Sequence, residues 1–288
     1  MTPEVQTFFD HATSTASYLV SDAVTRTAAV VDPVLDFEPK GAKLSTSSAD
    51  AILAAVRNQG LHLAYVLETH AHADHLSAAD YIRRETGAKI VIGAKITEVQ
   101  KTFIPLFEAD DVVDDGRVFD NLLTEGDTLP LGDLTISVLH TPGHTPACVT
   151  YLIGNAAFVG DTLFMPDYGT ARADFPGGDA ATLYRSIRKI MTLPPETRIF
   201  VGHDYLPAGR DRFESETTVA EEKASNVHVH EGVSEADFVE MRQARDATLA
   251  PPTLILPSLQ VNIRGGALPK PTASGRVFFR LPVTFAPA

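Results

Sequence analysis

Three histidines and an aspartate fall within six residues, at His70, His72, Asp74 and His75, in the order H-x-H-x-D-H. No other feature constrains the fold as tightly. The apolar run Leu63-Ala64-Tyr65-Val66-Leu67 precedes the cluster and reads as a buried strand. Side chains alternate along an extended segment, so His70 and His72 point the same way. Asp74 and His75 come round as the chain turns into the next helix. Imidazole and carboxylate are the ligands that borderline divalent ions such as zinc and iron prefer. The cluster therefore reads as a metal site at the end of a strand, against a solvated polar loop as the plain alternative.

Three more ligand-type residues stand at separated positions. His144 lies in Thr141-Pro142-Gly143-His144-Thr145-Pro146, after the apolar run Leu134 to Leu139. Asp161 lies in Phe158-Val159-Gly160-Asp161-Thr162-Leu163, and His203 in Ile199-Phe200-Val201-Gly202-His203-Asp204. Each is a short strand, a turn containing glycine, then a ligand. Loops at one edge of a rigid sheet deliver groups to a common point in this way. Any one of them alone would read as a structural residue; four in order do not.

This ordered set resembles the metallo-β-lactamase superfamily, whose pattern is H-x-H-x-D-H, then His, Asp and His. The resemblance implies an α/β fold, a four-layer αββα sandwich with the metal at one edge of its two sheets. The local patterns agree with a mixed α/β class. Strands are expected near Ser17–Val20, Ala28–Asp32, Leu63–Leu67, Lys89–Ile92, Thr135–His140, Val149–Ile153, Ala157–Gly160 and Arg198–Val201. Helices are expected near Ser48–Gln59, Ala78–Thr86, Ala180–Met191, Glu214–Ala224 and Glu235–Thr248.

Size and charge narrow the class of function. With 288 residues, 44% of them hydrophobic, the chain can bury a large core as a single domain over 1–288. The tail from about 251 is rich in Pro and Gly and short of helix signals, and is expected to pack on that domain. Met1 to Asp10 has neither a basic region nor a long apolar run, so no signal peptide is expected. No run approaches the ~20 apolar residues of a membrane span. One cysteine, Cys148, excludes an internal disulfide and suits a reducing cytoplasm. It opens the apolar run Val149 to Ile153 and reads as a small buried hydrophobe. A net charge of −13 argues against nucleic acid as a partner.

Within the superfamily, the second half of the chain resembles the persulfide dioxygenases. The likeness runs through Thr141 to Thr150, Phe158 to Leu163, Gly169-Thr170-Ala171-Arg172-Ala173-Asp174-Phe175, Thr182-Leu183-Tyr184 and His203-Asp204-Tyr205. It covers the chain from about Phe8 to Asn262-Ile263-Arg264-Gly265. Phe164 to Gly169 and the tail are most similar to the bacterial subgroup once called β-lactamase-like hydrolases. Glyoxalase II, a dinuclear zinc thioester hydrolase, is the nearest rival. Its first motif usually continues with two glycines, where this chain has Leu76-Ser77, and it usually has Glu where this chain has Asp204. A non-catalytic metal-binding thiol sensor is a third reading, but no ligand position is lost.

The two enzyme readings differ in how the ligands are used. A dinuclear hydrolase needs all of them, one or two Zn(2+) generating its nucleophile. A mononuclear iron oxygenase needs two His and one carboxylate on one face. By resemblance, His70, His144 and Asp161 would hold one Fe(2+) per chain. His72, Asp74, His75 and His203 would then orient ligands and waters, or hold a second metal. The activity implied is oxidation of glutathione persulfide by O2 to sulfite and glutathione. Glutathione carries two carboxylates, so a clamp of Arg and Tyr is expected. Arg172, Tyr205 and Tyr184 are the candidates, with Arg264 in the tail as a fourth. The subgroup often has Cys where this chain has Ala173. A sulfurtransferase partner would be a separate chain, since no rhodanese-like segment is present, and a homodimer is a possible state.

Overall fold

Strands that are apolar throughout need cover on both faces. The computed structural model, in which residues 2–284 are described, supplies that cover with two sheets packed face to face and helices outside each. The chain opens with β1 (Glu4–Asp10), β2 (Thr15–Ser21), β3 (Thr27–Val31), β4 (Val34–Glu38), β5 (Lys43–Ser45), α1 (Ser47–Asn58) and β6 (His62–Glu68). It continues through β7 (Leu76–Ser77), α2 (Ala79–Thr86), β8 (Lys89–Gly93), α3 (Ile96–Phe107) and β9 (Asn121–Leu123). The second half brings β10 (Thr128–Leu131), β11 (Leu134–His140), β12 (Val149–Ile153), β13 (Ala156–Gly160), α4 (Ala180–Ile190) and β14 (Arg198–Val201). It closes with β15 (Glu216–Thr218), α5 (Val219–Ser225), α6 (Glu235–Asp246) and α7 (Ile255–Asn262).

The first sheet runs β1-β2-β3-β6-β8-β9, the second β10 to β15 in chain order, and a small third sheet runs β5-β4-β7. Alternate residues of one strand serve different layers, as a period of two requires. In β2 and β3, Tyr18, Val20, Ala29 and Val31 point between the sheets, where they meet Ile136, Val138, Tyr151, Phe158 and Phe200. Their neighbours Leu19, Ala28 and Val30 face outward, onto Ile52 of α1, Ile82 of α2, Phe103 of α3 and Leu259 of α7. Across the molecule, Ala157, Val159, Ile199 and Val201 face outward onto Leu183 and Ile187 of α4, Val219 of α5 and Phe238 of α6. The result is the four-layer αββα sandwich that the ligand pattern implied.

Each of the eight expected strands lies in β2, β3, β6, β8, β11, β12, β13 or β14. Three helical expectations need correction. Helix α3 was not expected; its Ile, Thr, Val and Pro105 are weak helix formers, and burial of Ile96, Val99 and Phe103 outweighs that. The helix expected over 214–224 begins only at Val219. Its first residues form β15, with Thr217 paired to Ile199, and Thr218 caps α5 by accepting from Glu221 N. The tail, expected to lack helix, carries α7, and Leu259, Val261 and Ile263 join the core against α3. The last four residues of that tail lie outside the described ones.

Candidate metal centre

Four loops meet at one edge of the sandwich. The cluster 69–75 leaves the C-terminal end of β6 in the first sheet; His144 follows β11, Asp161 follows β13 and His203 follows β14 in the second. Strands β11 and β13 both run antiparallel to β12, and β14 runs parallel to β13, so all three end on the same side. The sheets are tied together there by Val149 N donating to Thr69 O (2.9 Å) and Ala16 N donating to Gly202 O (2.9 Å).

Two glycines make the convergence possible. At Gly160 the register of β13 against β14 shifts, which re-aims Asp161. Its φ is +51°, and a Cβ there would collide with the Thr69 side chain. Gly143, at φ +134°, lies flat against the backbone of Leu183 in α4 and accepts from Asp179 N (2.9 Å). A side chain at 143 would push the His144 loop off the helix.

The ligand-type atoms fall into two groups bridged by one carboxylate. Asp161 Oδ2 lies 3.8 Å from His70 Nε2 and 3.6 Å from His144 Nε2. Asp161 Oδ1 lies 3.3 Å from His203 Nε2, which is itself 3.1 Å from Asp74 Oδ2. One group is thus His70, His144 and Asp161, and the other is His72, Asp74, His75 and His203; a third, Asp32, Glu68 and His72, lies behind them. Ligands about 2.0–2.2 Å from one ion sit roughly 3–3.5 Å apart, so each group closes round an ion with small adjustment.

Four imidazoles are held by Nδ1, leaving Nε2 free to ligate. Thr69 Oγ1 spends its proton on Asp32 Oδ2 (2.7 Å) and so accepts from His70 Nδ1 (3.0 Å). His144 Nδ1 donates to Arg172 O (2.8 Å), His75 Nδ1 to Leu76 O (3.2 Å) and His203 Nδ1 to Ser14 O (3.2 Å). A carbonyl or hydroxyl behind a histidine fixes its tautomer in just this sense. His72 differs. Its Nε2 lies 3.0 Å from Asp32 Oδ1 and 3.3 Å from Glu68 Oε2, two buried carboxylates.

Burial removes the charge from two of these rings. His70 is driven well below its usual range by desolvation and then by repulsion from the neighbouring imidazoles, and His75 is lowered to about 3 for the same reasons. Neutral imidazole is the ligating form. Burial also opposes charge on His203, but Asp161 and Asp74 outweigh it and raise that group.

The chemistry of the site fits a metal. Seven buried atoms here have no hydrogen-bond partner: Nε2 of His70, His72, His75 and His203, Nδ1 of His72, Asp74 Oδ2 and Asp161 Oδ1. Buried polar atoms are rarely left so. Apart from His72 Nε2, which faces Asp32 and Glu68, they lie within the two ligand groups, where an ion would satisfy them. A cavity of about 480 Å³ opens directly onto Asp74, His144 and Asp161, with Phe164, Tyr168 and Tyr205 along one wall.

The four proposed substrate residues separate. Tyr205 lines the cavity and stacks on the His203 ring, centroids 5.5 Å apart. Arg172 reaches the cavity, but its guanidinium is bidentate to Asp174 at 2.5 and 2.6 Å. Tyr184 is turned away: its hydroxyl donates to Val233 O (2.7 Å) and its ring packs on Phe238. Arg264 is also away from the site, bidentate to Asp111 at 2.9 and 2.6 Å. Cys148 is buried, and desolvation pushes its thiol up to about 12, away from the thiolate form.

Several contributors escaped the sequence analysis. Asp32, at the end of β3 with φ +47°, accepts from Thr69 N (2.7 Å) and underpins the cluster. Glu68 accepts from Ser77 Oγ (2.5 Å) behind it. Asn262 of α7 donates to His72 O (2.8 Å) and His75 O (2.9 Å) and accepts from Ser77 N (2.8 Å). An acidic residue closing an apolar strand was a usable signal for Asp32 and Glu68. Nothing local marks Asn262.

Comparison with known proteins agrees with this geometry. The profile of the metallo-beta-lactamase superfamily matches residues 12–203. A probable metallo-hydrolase of Burkholderia pseudomallei (strain 1710b) is 53% identical over 97% of this chain and 98% of its own length. Glyoxylase B2 of Dictyostelium discoideum is 41% identical over 98% of this chain and 97% of its own. The mitochondrial persulfide dioxygenase of Homo sapiens is 32% identical over 68% of this chain and 66% of its own. Among solved structures, the ETHE1 protein of Myxococcus xanthus superposes with a TM-score of 0.73 at 32% identity, covering 92% of this chain and 100% of that one.

Proposed function

This chain belongs to the metallo-β-lactamase superfamily, and on that footing we propose that it is an iron-dependent dioxygenase of a low-molecular-weight persulfide such as glutathione persulfide. The observation that carries the proposal is the grouping of the ligands. His70, His144 and Asp161 form a set of two imidazoles and one carboxylate, and His144 and Asp161 face the cavity. Such a set leaves coordination positions for two further partners, as mononuclear ferrous sites require. Of the remaining ligand-type groups, His72 turns its Nε2 to Asp32 and Glu68. Likeness to the human persulfide dioxygenase and to the Myxococcus protein supports the same choice.

Ferrous iron, when bound, supplies the electron-transfer chemistry that lets dioxygen react with a sulfane sulfur. In balance, persulfide, dioxygen and water become sulfite, thiol and two protons; the sulfane sulfur is oxidised and the dioxygen reduced. The protein's part is positional. His144 is anchored through Arg172 O and His70 through Thr69 and Asp32, so neither ring can swing when substrate enters. The aromatic wall of Phe164, Tyr168 and Tyr205 shields the reacting sulfur from bulk water.

One observation favours a second reading. Asp161 presents one oxygen to each ligand group, the arrangement of a carboxylate between two metals, and a dinuclear zinc thioester hydrolase would use it. Its relatives are named as a probable metallo-hydrolase and a glyoxylase. Protein produced in iron-supplied cells separates the two. The dioxygenase holds about one iron per chain and consumes O2 with glutathione persulfide as it forms sulfite. Two zinc ions, no O2 consumption and cleavage of a glutathione thioester would replace it with the hydrolase.

A further inference from the structure

Three arginines line the cavity beside the ligands, Arg172, Arg242 and Arg245. Two are already matched. Arg172 pairs with Asp174 and donates its remaining arm to Ala250 O (2.7 Å). Arg242 is buried, pairs with Asp246 (2.7 Å) and donates to Thr170 O (3.1 Å). The other oxygen of Asp246 accepts from Ala173 N (2.8 Å), so the end of α6 is clamped to the loop that carries Arg172.

Arg245 lies in the same last turn of α6, is exposed, and makes no ion pair or side-chain hydrogen bond among the described residues. Three positive charges therefore meet two negative ones, Asp174 and Asp246, and one positive charge is left over at the cavity. A cation at a helix C-terminus is favourable wherever it points. That alone does not call for a place on a cavity wall. The chain as a whole carries −13, so this spare charge marks a local preference for anions against the general field. Among the described residues, no carboxylate lines the cavity apart from Asp74 and Asp161, which belong to the ligand set.

We propose that Arg245 binds a carboxylate of the thiol carrier, and that Arg172 acts as a strut. This reassigns the clamp expected at Arg172 to Arg245. Its fork is filled by Asp174, and the consequence is a rigid backbone at residue 172, whose carbonyl orients His144. Arg245 lines the same cavity with its fork unpaired among the described residues, and a planar fork is what carboxylates prefer. This assignment deepens the persulfide reading and rests on it for the identity of the carrier.

The test is direct binding of S-methylglutathione, which cannot be turned over, to the metal-loaded protein by calorimetry. Arg245→Gln is expected to weaken binding about tenfold or more, the scale of a lost hydrogen bond to a charged group. Glutathione diethyl ester, with both carboxylates capped, is expected to bind wild type and Arg245→Gln equally. Arg245→Lys is expected to restore part of the loss. The position is exposed, so melting should be unchanged, and a melt of each variant checks this. Equal binding of S-methylglutathione by wild type and Arg245→Gln overturns the assignment, as does an equal loss for the ester. Failure of wild type to bind S-methylglutathione also overturns it. O2 consumption is measured separately with glutathione persulfide. If that is absent while the acid-over-ester preference depends on Arg245, the dioxygenase reading fails and the carboxylate site stands.

Discussion

At the scale of the residue, the ligand set divides by what each side chain already touches. In the mononuclear reading, His70→Ala, His144→Ala and Asp161→Ala each abolish iron binding, because each removes one of three ligands. His203→Ala and Asp74→Ala keep iron and lose roughly 10–100-fold in activity, the usual scale for groups behind a metal shell. Metal analysis of the five variants decides, and equal loss of metal in all of them would establish a two-metal site. A second residue prediction lies away from the metal. Glu222 of α5 is buried; its Oε2 accepts from Asn226 Nδ2 (2.6 Å) while Oε1 has no partner. Burial raises its carboxyl to about 8 from the ordinary 4.5. The unfolded chain therefore releases this proton well before the folded one, and stability falls as pH rises across that window. Glu222→Gln should gain on the order of 1–3 kcal/mol at pH 8 and little at pH 5. Urea unfolding at the two pH values checks it; a gain equal at both would show that ionisation is not the cause.

At the scale of the element, α7 matters more than its length suggests. It is 8 residues long, and its last residue, Asn262, makes three buried hydrogen bonds to the loop that carries His72 and His75. Asn262→Ala strands two carbonyls and one amide in the interior. The cost should be about 2–4 kcal/mol, with weaker metal binding in addition, because the loop loses its anchor. Thermal melts with a parallel metal titration measure both. A fall in stability with unchanged metal affinity would limit α7 to a packing role. The structure of the tail was not legible from its composition: Pro and Gly concealed a helix stabilised by burial of Leu259, Val261 and Ile263. For the same reason Ile96–Phe107 gave no sign of being a helix. By contrast, α1 and α4 could be read because each carries a regular apolar face, and α6 because Ser234 caps it, accepting from Asp237 N.

At the scale of the whole molecule, the centre joins the two sheets at an edge where other polar contacts also cross. Tyr18 of the first sheet donates to Val201 O of the second, and Tyr151 of the second donates to Glu68 O (2.9 Å) of the first. The ligands themselves come from both sheets, so an ion staples the sandwich at its edge. Removing it with a chelator should lower the melting temperature by several degrees, since a ligand at 100 times its Kd contributes about 2.7 kcal/mol. Calorimetry before and after chelation, with metal content measured, is the check. An unchanged melt after complete metal loss would mean that the apo site is already satisfied, contrary to its seven unpartnered atoms. Among the described residues no helix is long and apolar enough to cross a membrane.

The sequence by itself determined the ligand chemistry and the layering. Ligand types, their order and the apolar strand before each loop are local, and they are enough to imply a metal at a sheet edge. Alternation along β2, β3 and β13 likewise divides their residues between two layers, and the packing of the sheets decides which set faces which. Tertiary structure alone decided what each polar group meets. Arg172, Arg245 and Arg264 look alike in a sequence; in space the first is filled by Asp174, the third by Asp111, and the second lines the cavity with no carboxylate paired to it among the described residues. The physical reason is that an ion pair or hydrogen bond is set by positions far apart in the chain. Asn262 stands 187 residues from His75 and Asp111 stands 153 from Arg264, and no local pattern carries that information.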